Sequence, residues 1–203
     1  LNELSGQGEI RICGTVPVEG DETWSGATVS RSGSGNNELI NVTGSLTLDG
    51  IILHGGRPGD SGNISVSGGT LTVTGGSSLS GGKGGSSGSA FEVPMIRVSA
   101  GSMVLRDGTV SGTDVGVEIV RNGRFTMENG TVSNVLRGVE VGEDSAFRMD
   151  GGSISATQTG VVTKGEFVLS AGSVAAPDGG FAVSVDRSTS ATKAAFLLNG
   201  PAA

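Results

Sequence analysis

The feature that most constrains this chain is a short apolar-x-apolar triplet that returns along most of its length. The first residues of successive triplets lie 20 to 32 positions apart, and all but one triplet is followed by a glycine-containing turn and a further apolar residue. The triplets are Leu46-Thr-Leu48, Leu71-Thr-Val73, Met103-Val-Leu105, Phe125-Thr-Met127, Phe147-Arg-Met149, Phe167-Val-Leu169 and Phe196-Leu-Leu198. An apolar skeleton that persists while its polar neighbours change indicates a repeat architecture.

Two further segments complete each repeating unit. A second triplet precedes most of the first kind, as in Ile64-Ser-Val66, Ile96-Arg-Val98, Val117-Glu-Ile119, Val139-Glu-Val141 and Val161-Val-Thr163. A third segment follows, and its apolar residues are Val110, Val132, Ile154 and Val174. All three alternate with the period of a strand that buries one face, and the glycines leave no room for a helix between them. Each unit is therefore predicted to contain three short strands.

Such units stack into a solenoid. Burying five inward apolar residues contributes about 1.5 to 3 kcal/mol each, whereas ordering a unit of roughly 22 residues costs about 1 to 2 kcal/mol per residue. One coil alone cannot fold, so neighbouring coils must supply hydrogen bonds and shared burial. We predict an all-β, right-handed parallel β-helix with three short strands per coil and about seven to eight coils. The leucine-rich pattern and the four strands of a propeller blade are not seen.

Composition and charge limit the classes of molecule that this chain is expected to bind. Glycine supplies 38 of 203 residues, tyrosine is absent, and 20 acidic against 13 basic residues give a net charge of −7. A surplus of negative charge argues against a nucleic-acid partner. No apolar run approaches the 18 residues of a membrane span, so we expect no membrane insertion. Cys13, the single cysteine, is predicted to be a small buried apolar residue.

The motifs that carry the repeat also resemble a known group of proteins. GRFTMENGTVSN and SAFRMDGGSISA resemble the G-x-F-x-M-x-G-G-x-[IV]-[ST] repeats of large secreted or cell-surface bacterial proteins with a pectate-lyase-like right-handed β-helix fold. The resemblance extends roughly over residues 27 to 200. It implies an extracellular, bacterial surface or secreted location and a stalk-like or adhesin-like module.

The breaks in the repeat suggest how the chain is organised. Residues 1–36 depart from the repeat and are predicted to form an N-terminal cap with Trp24 as its plug. Residues 37–203 are predicted to form the β-helix, with loop insertions at 75–94 and 176–196. The sequence shows no cap at the C-terminal end, where we expect further repeats of a longer parent chain or a partner molecule.

The middle residue of each triplet should face outward and form a column across the coils. One predicted column contains Arg97, Glu118 and Glu140, which are the candidate catalytic residues, because two carboxylates one coil apart can share a cation or a proton. The alternative is a solvated column in which Arg97 offsets Glu118. No cofactor is expected, although Glu143 and Asp144 could hold calcium. His54 has no second ligand at metal-binding spacing.

Three functions remain open from the sequence. The leading hypothesis is a non-catalytic structural or adhesive module that presents loops or faces to a host or environmental glycan or protein. The second is a polysaccharide lyase or glycosidase that acts through Arg97, Glu118 and Glu140. The third is an ice-binding solenoid, because two ranks of hydroxyl residues are predicted beside the third strand: Thr109, Thr131, Ser153 and Ser173 on one side, and Ser111, Ser133, Ser155 and Ala175 on the other.

Overall fold

The structure is a computed structural model of the chain, and it describes residues 3–5, 8–33, 37–56, 62–81, 93–186 and 194–199, with the backbone alone for 3–5. The described part is all-β and contains no helix, so it has no helix that could cross a membrane. Parallel strands stack as a β-solenoid of about 7 turns, which confirms the predicted fold class. The right-handed sense of the coil stays a prediction.

The strands are short except for two that turn a corner. In chain order they are β1 (Glu3–Ser5), β2 (Glu9–Ile12), β3 (Val16–Val18), β4 (Asp21–Ser25), β5 (Thr28–Arg31), β6 (Ile40–Val42), β7 (Ser45–Asp49), β8 (Ile52–His54), β9 (Ile64–Ser67), β10 (Thr70–Thr74), β11 (Ser78–Ser80), β12 (Pro94–Ser99), β13 (Ser102–Leu105), β14 (Thr109–Ser111), β15 (Val115–Val120), β16 (Arg124–Met127), β17 (Thr131–Val141), β18 (Ala146–Met149), β19 (Ser153–Thr163), β20 (Glu166–Leu169), β21 (Ser173–Ala175), β22 (Phe181–Val185) and β23 (Ala195–Leu198).

The strands form three faces. The Phe face is the sheet β1-β4-β7-β10-β13-β16-β18-β20-β23. The hydroxyl face contains β2, β5, β8, β11, β14, the first parts of β17 and β19, and β21. The charged face contains β3, β6, β9, β12, β15, the second parts of β17 and β19, and β22. Because β17 and β19 each run through both of the last two faces, these faces join into one 14-stranded sheet.

The core consists of columns of equivalent side chains. Phe125 pairs with Phe147, Met127 with Met149, and Val132 with Ile154, as the repeat predicts. The phenylalanine rings stack with centroids 4.8 Å apart between Phe125 and Phe147, and 4.9 Å apart between Phe147 and Phe167. These distances match the spacing of neighbouring strands, so each ring sits directly on the ring of the next coil.

Glycines turn the corner between the Phe face and the hydroxyl face. Gly130 and Gly152 have φ angles of +95° and +80°, a conformation that L side chains rarely adopt. A Cβ added to Gly152 would lie only 2.6 Å from the carbonyl oxygen of Gly130 in the coil before it. The corner therefore needs glycine for its backbone angle and also for the close approach of successive coils.

The N-terminal residues join the same three faces. Strands β1 and β4 extend the Phe face, β2 and β5 the hydroxyl face, and β3 the charged face. Trp24 is fully buried, and its indole Nε1–H donates a 2.9 Å hydrogen bond to Oε2 of Glu22. The polar end of the ring is thus satisfied while its body fills the coil. The capping role of residues 1–36 stays a prediction.

One prediction about the N-terminal coil is wrong. Cys13 is exposed rather than buried. The alternating pattern ends with Ile12, the last residue of β2, and Cys13 lies in the bend that follows. The alternation of inward and outward side chains holds only within a strand, so it does not determine where a side chain in such a bend points. The predicted insertions at 75–94 and 176–196 lie partly outside the described residues, at 82–92 and 187–193.

Candidate functional site

The three candidate residues lie in one outward row of the charged face. Strand register places Ser65 beside Arg97, Arg97 beside Glu118, Glu118 beside Glu140, Glu140 beside Val162, and Val162 beside Ser184. This charged row is the column that the sequence predicts, residue for residue. Triplets that repeat in register leave their middle residues stacked on the outside of a parallel sheet.

The predicted offset of Glu118 by Arg97 is confirmed. Arg97 Nε on β12 lies 3.3 Å from Oε2 of Glu118 on β15, and both side chains are about one-quarter to one-third exposed, at 31% and 23%. The pair therefore connects two successive coils across the outer surface. A partly exposed pair of this kind contributes about 0 to 1 kcal/mol, so its effect on coil pairing is modest.

Glu140 has an arginine partner that the sequence reasoning missed. Arg137 Nε contacts Oε1 of Glu140 within β17. Arg137 lies just after the register shifts at Ser133/Val135 and Val135/Arg137, where β17 bends from the hydroxyl face to the charged face. A register shift of this kind changes the direction in which the following side chains point. The spacing in Arg-Gly-Val-Glu, an opposite charge three residues before Glu140, was the available signal.

A shallow charged groove opens beside Glu140. Its volume is about 310 Å³, and its charged lining residues are Glu118, Arg137, Glu140, Lys164 and Asp186. Gly142 and Val162, which have small side chains, also line it. Lys164 Nζ lies 3.5 Å from Oδ2 of Asp186. The groove thus carries charges of both signs, arranged mainly as neighbouring pairs.

Burial dominates the electrostatics of Glu140. Removal from water raises the pKa of its carboxyl group above the ordinary value, while Arg137 and Lys164 act in the opposite direction. The contact with Arg137 therefore does not fully compensate for desolvation. Desolvation therefore makes the carboxyl group of Glu140 easier to protonate than an exposed glutamate.

The raised pKa predicts a specific pH dependence for Glu140→Gln. The stability contributed by protonated Glu140 is complete below the ordinary pKa of 4.5 and is lost as the pH rises through the higher folded-state pKa. The free energy of unfolding of the variant, relative to the native protein, should therefore increase as the pH rises above the ordinary pKa of 4.5, and should level off once the pH exceeds the folded-state pKa. Urea unfolding of both proteins across this range measures the trend. A constant or falling difference would contradict it.

The other predicted ligand residues show no convergent metal site. Among the described residues, no group of three or more histidine, cysteine, aspartate or glutamate side chains could hold a metal ion. The Nδ1 atom of His54 lies 3.0 Å from Oγ of Ser80 in the next coil, on the hydroxyl face. Calcium binding by Glu143 and Asp144 stays a prediction.

The two hydroxyl ranks lie in register, as the sequence predicts. Thr109, Thr131, Ser153 and Ser173 form one rank, and Ser111, Ser133, Ser155 and Ala175 form the other. Ile52 and His54 continue the two ranks toward the N-terminus through Ser78 and Ser80. The hydroxyl character is therefore interrupted by an apolar residue in one rank and by an imidazole in the other.

A larger depression lies at the edge of the Phe face and was not foreseen from the sequence. Its volume is about 590 Å³, and its lining includes Arg124, Asp144, Ala146, Glu166 and Leu197. Arg124, Ala146 and Glu166 are neighbours in register on β16, β18 and β20. The short side chain of Ala146 between two long ones leaves the space. We call this feature the Arg124 depression.

The fold and its outer rows define the chain as a parallel β-solenoid of about 7 turns, with its polar side chains stacked on three faces. No protein-family model, no curated protein and no solved structure matches the chain.

Proposed function

We propose that the chain is a non-catalytic structural and adhesive β-solenoid module of a bacterial secreted or surface protein. The observation that carries the proposal is the continuous column of Phe125, Phe147, Phe167 and Phe196, whose rings stack from coil to coil. A column of this kind makes neighbouring coils interdependent, so the molecule serves as a rigid support for its outer faces. The resemblance of the repeats to those of large bacterial surface proteins supports the extracellular location.

The charged row supports a structural role more than a catalytic one. Arg97 is close to Glu118, and Arg137 is close to Glu140. Catalysis by a pair of carboxylates needs one of them free to meet a substrate in the required protonation state. Here each carboxylate already has an arginine beside it, and the pair of Arg97 and Glu118 connects two coils.

The Arg124 depression is the surface that we propose for partner binding. Its volume of about 590 Å³ lies within the usual range of ligand sites, which is about 300 to 1,000 Å³. Arg124 supplies donors, Asp144 and Glu166 supply acceptors, and Ala146 and Leu197 supply apolar surface. Such a mixture suits a glycan, which offers hydroxyl groups together with apolar ring faces, or a polar protein loop.

Filling the depression should weaken partner binding. Binding of the purified domain to glycan and host-protein arrays identifies a partner, and Ala146→Tyr should weaken that binding at least about tenfold by occupying the space. Ser133→Tyr places the same ring on the hydroxyl face and is the matched control, for which we expect unchanged affinity. Equal losses in both variants, or efficient depolymerisation of a polysaccharide by the native domain, would refute the proposal.

The raised pKa of Glu140 beside the charged groove favours a second candidate function, the cleavage of a polysaccharide by a lyase or glycosidase. In this case Glu140 acts as the proton donor or acceptor, with Glu118 and Arg97 beside it. Activity on a panel of polysaccharides tests this function. If activity is found and Glu140→Gln leaves it unchanged, these three residues do not carry it.

A further inference from the structure

Two asparagine–glycine pairs lie in connections between strands of the central coils. Asn122-Gly123 lies between β15 and β16, and Asn129-Gly130 lies between β16 and β17. Asparagine is a thermolabile residue, because its side-chain amide can react with the backbone nitrogen of the residue that follows it. A following glycine favours this reaction, since it has no Cβ to hinder the approach of its nitrogen. Both pairs are therefore candidates for a covalent change.

The reaction is a ring closure within the chain. The backbone nitrogen of the glycine gives its proton to water and bonds to Cγ of the asparagine, while the bond from Cγ to Nδ2 breaks and Nδ2 leaves as ammonia with a proton returned by water. Water then opens the cyclic imide. Attack at Cγ gives aspartate, and attack at the main-chain carbonyl carbon gives isoaspartate, in which the chain runs through Cγ. No atom is oxidised or reduced, and water is the only co-reactant.

Asn122 is held in a conformation that opposes ring closure. Arg121 and Asn122 both have left-handed φ angles, of +53° and +64°. The N–H of Gly123 donates a 3.0 Å hydrogen bond to the carbonyl oxygen of Val120, which closes a turn of type I′, and Gly123 is buried. The nitrogen of Gly123 can reach the side chain of Asn122 only if this turn rotates and the hydrogen bond breaks.

Asn129 lacks both restraints. Its φ is not left-handed, the residue is exposed, and Gly130 is only half-buried. Among the backbone hydrogen bonds of the described residues, none is donated by the N–H of Gly130, although its carbonyl oxygen accepts one from Ser153. The nitrogen that must attack is therefore not held by a backbone acceptor, and the residue that it attacks is open to water.

We propose that Asn129 is a site of spontaneous deamidation, and that the isoaspartate formed there loosens the corner between the Phe face and the hydroxyl face. Isoaspartate adds one carbon to the main chain immediately before Gly130. The corner has no room for this change. A Cβ on Gly130 would lie 2.8 Å from the carbonyl oxygen of Gly108, and a Cβ on Gly152 would lie 2.6 Å from that of Gly130. The inference is independent of what the Arg124 depression binds.

Incubation of the full 203-residue chain in mildly alkaline buffer, followed by proteolysis and mass spectrometry of the peptides, tests the site. In the folded protein Asn129 should be converted at least about tenfold faster than Asn122, because a turn and its hydrogen bond must first be broken at Asn122. In urea-unfolded protein the two rates should agree within about threefold, since neither restraint remains. An unmodified Asn129 in the folded protein overturns the proposal, as does a rate ratio that unfolding leaves unchanged.

Asn129→Gln blocks the reaction, because the longer side chain would have to close a larger ring, and Asn122→Gln is the matched control. Both residues are exposed, so both variants should keep the native circular dichroism spectrum. After incubation, the native protein and Asn122→Gln should unfold at a lower urea concentration than before, whereas Asn129→Gln should keep its midpoint. Equal shifts in the two variants overturn the assignment to Asn129. Native protein that carries isoaspartate in place of Asn129 but keeps its midpoint overturns the effect on the corner.

Discussion

Phe147→Ala should lower the free energy of unfolding by about 3 to 5 kcal/mol, the usual range for removing a buried phenylalanine. Phe147 is 1% exposed and stacks against Phe125 on one side and Phe167 on the other. The substitution leaves a cavity in the middle of the stack and removes two ring contacts together. A loss of this size is a large fraction of the stability of an ordinary domain.

Phe196→Ala is the matched control for this prediction. Phe196 occupies the equivalent position on β23, is 39% exposed, and stacks against Phe167 with centroids 5.1 Å apart. It loses less burial, so its effect should be about 1 to 2 kcal/mol. Urea unfolding followed by circular dichroism measures both variants. Similar losses at the two positions would show that the central coils are not held together by the stack.

Gly152→Ala should lower the free energy of unfolding by about 2 to 5 kcal/mol. The left-handed φ of +80° contributes about 1 to 2 kcal/mol of strain for a residue with a Cβ. The new methyl group would also lie 2.6 Å from the oxygen of Gly130 and 2.7 Å from Cε of Met127, and overpacking of this kind adds about 1 to 3 kcal/mol. Two unfavourable effects therefore act at one corner.

Gly76→Ala separates the two effects. Gly76 also has a left-handed φ, of +71°, but a Cβ there would meet nothing within 4 Å. This control should lose only the strain contribution of about 1 to 2 kcal/mol. The difference between the two variants in thermal or urea unfolding then measures how tightly successive coils approach at the corner. Equal losses would mean that the coils separate at Gly130 and Gly152 to admit a methyl group.

The ion pairs of the charged face indicate which outer surface stabilises the solenoid and which could bind a partner. Arg97 and Glu118 connect two coils, and Arg137 lies against Glu140 at the bend of β17. The Arg124 depression is instead formed by a gap in side-chain length at Ala146. We therefore propose binding at the Arg124 depression, where Ala146 interrupts a row of longer side chains on the Phe face. The charged row, which is not interrupted in this way, contributes to the regular stacking of the coils.

The residues of the charged row were predictable because a parallel solenoid repeats its register. The middle residue of each triplet faces outward, so Arg97, Glu118 and Glu140 follow one another on successive strands. The pairing of Arg97 with Glu118 follows from opposite charges on neighbouring strands. The partner of Glu140 could not be predicted in the same way, because the register shift in β17 brings Arg137 onto the charged face.

The sequence alone determined the fold class, the register of the core columns and the identity of the outer rows, because all three depend on periods that are written directly into the chain. The tertiary structure decided the features that depend on where strands end and bend. Cys13 is exposed because β2 stops at Ile12. The Arg124 depression exists because side chains that are distant in sequence lie side by side on neighbouring strands, and no local period records such neighbours.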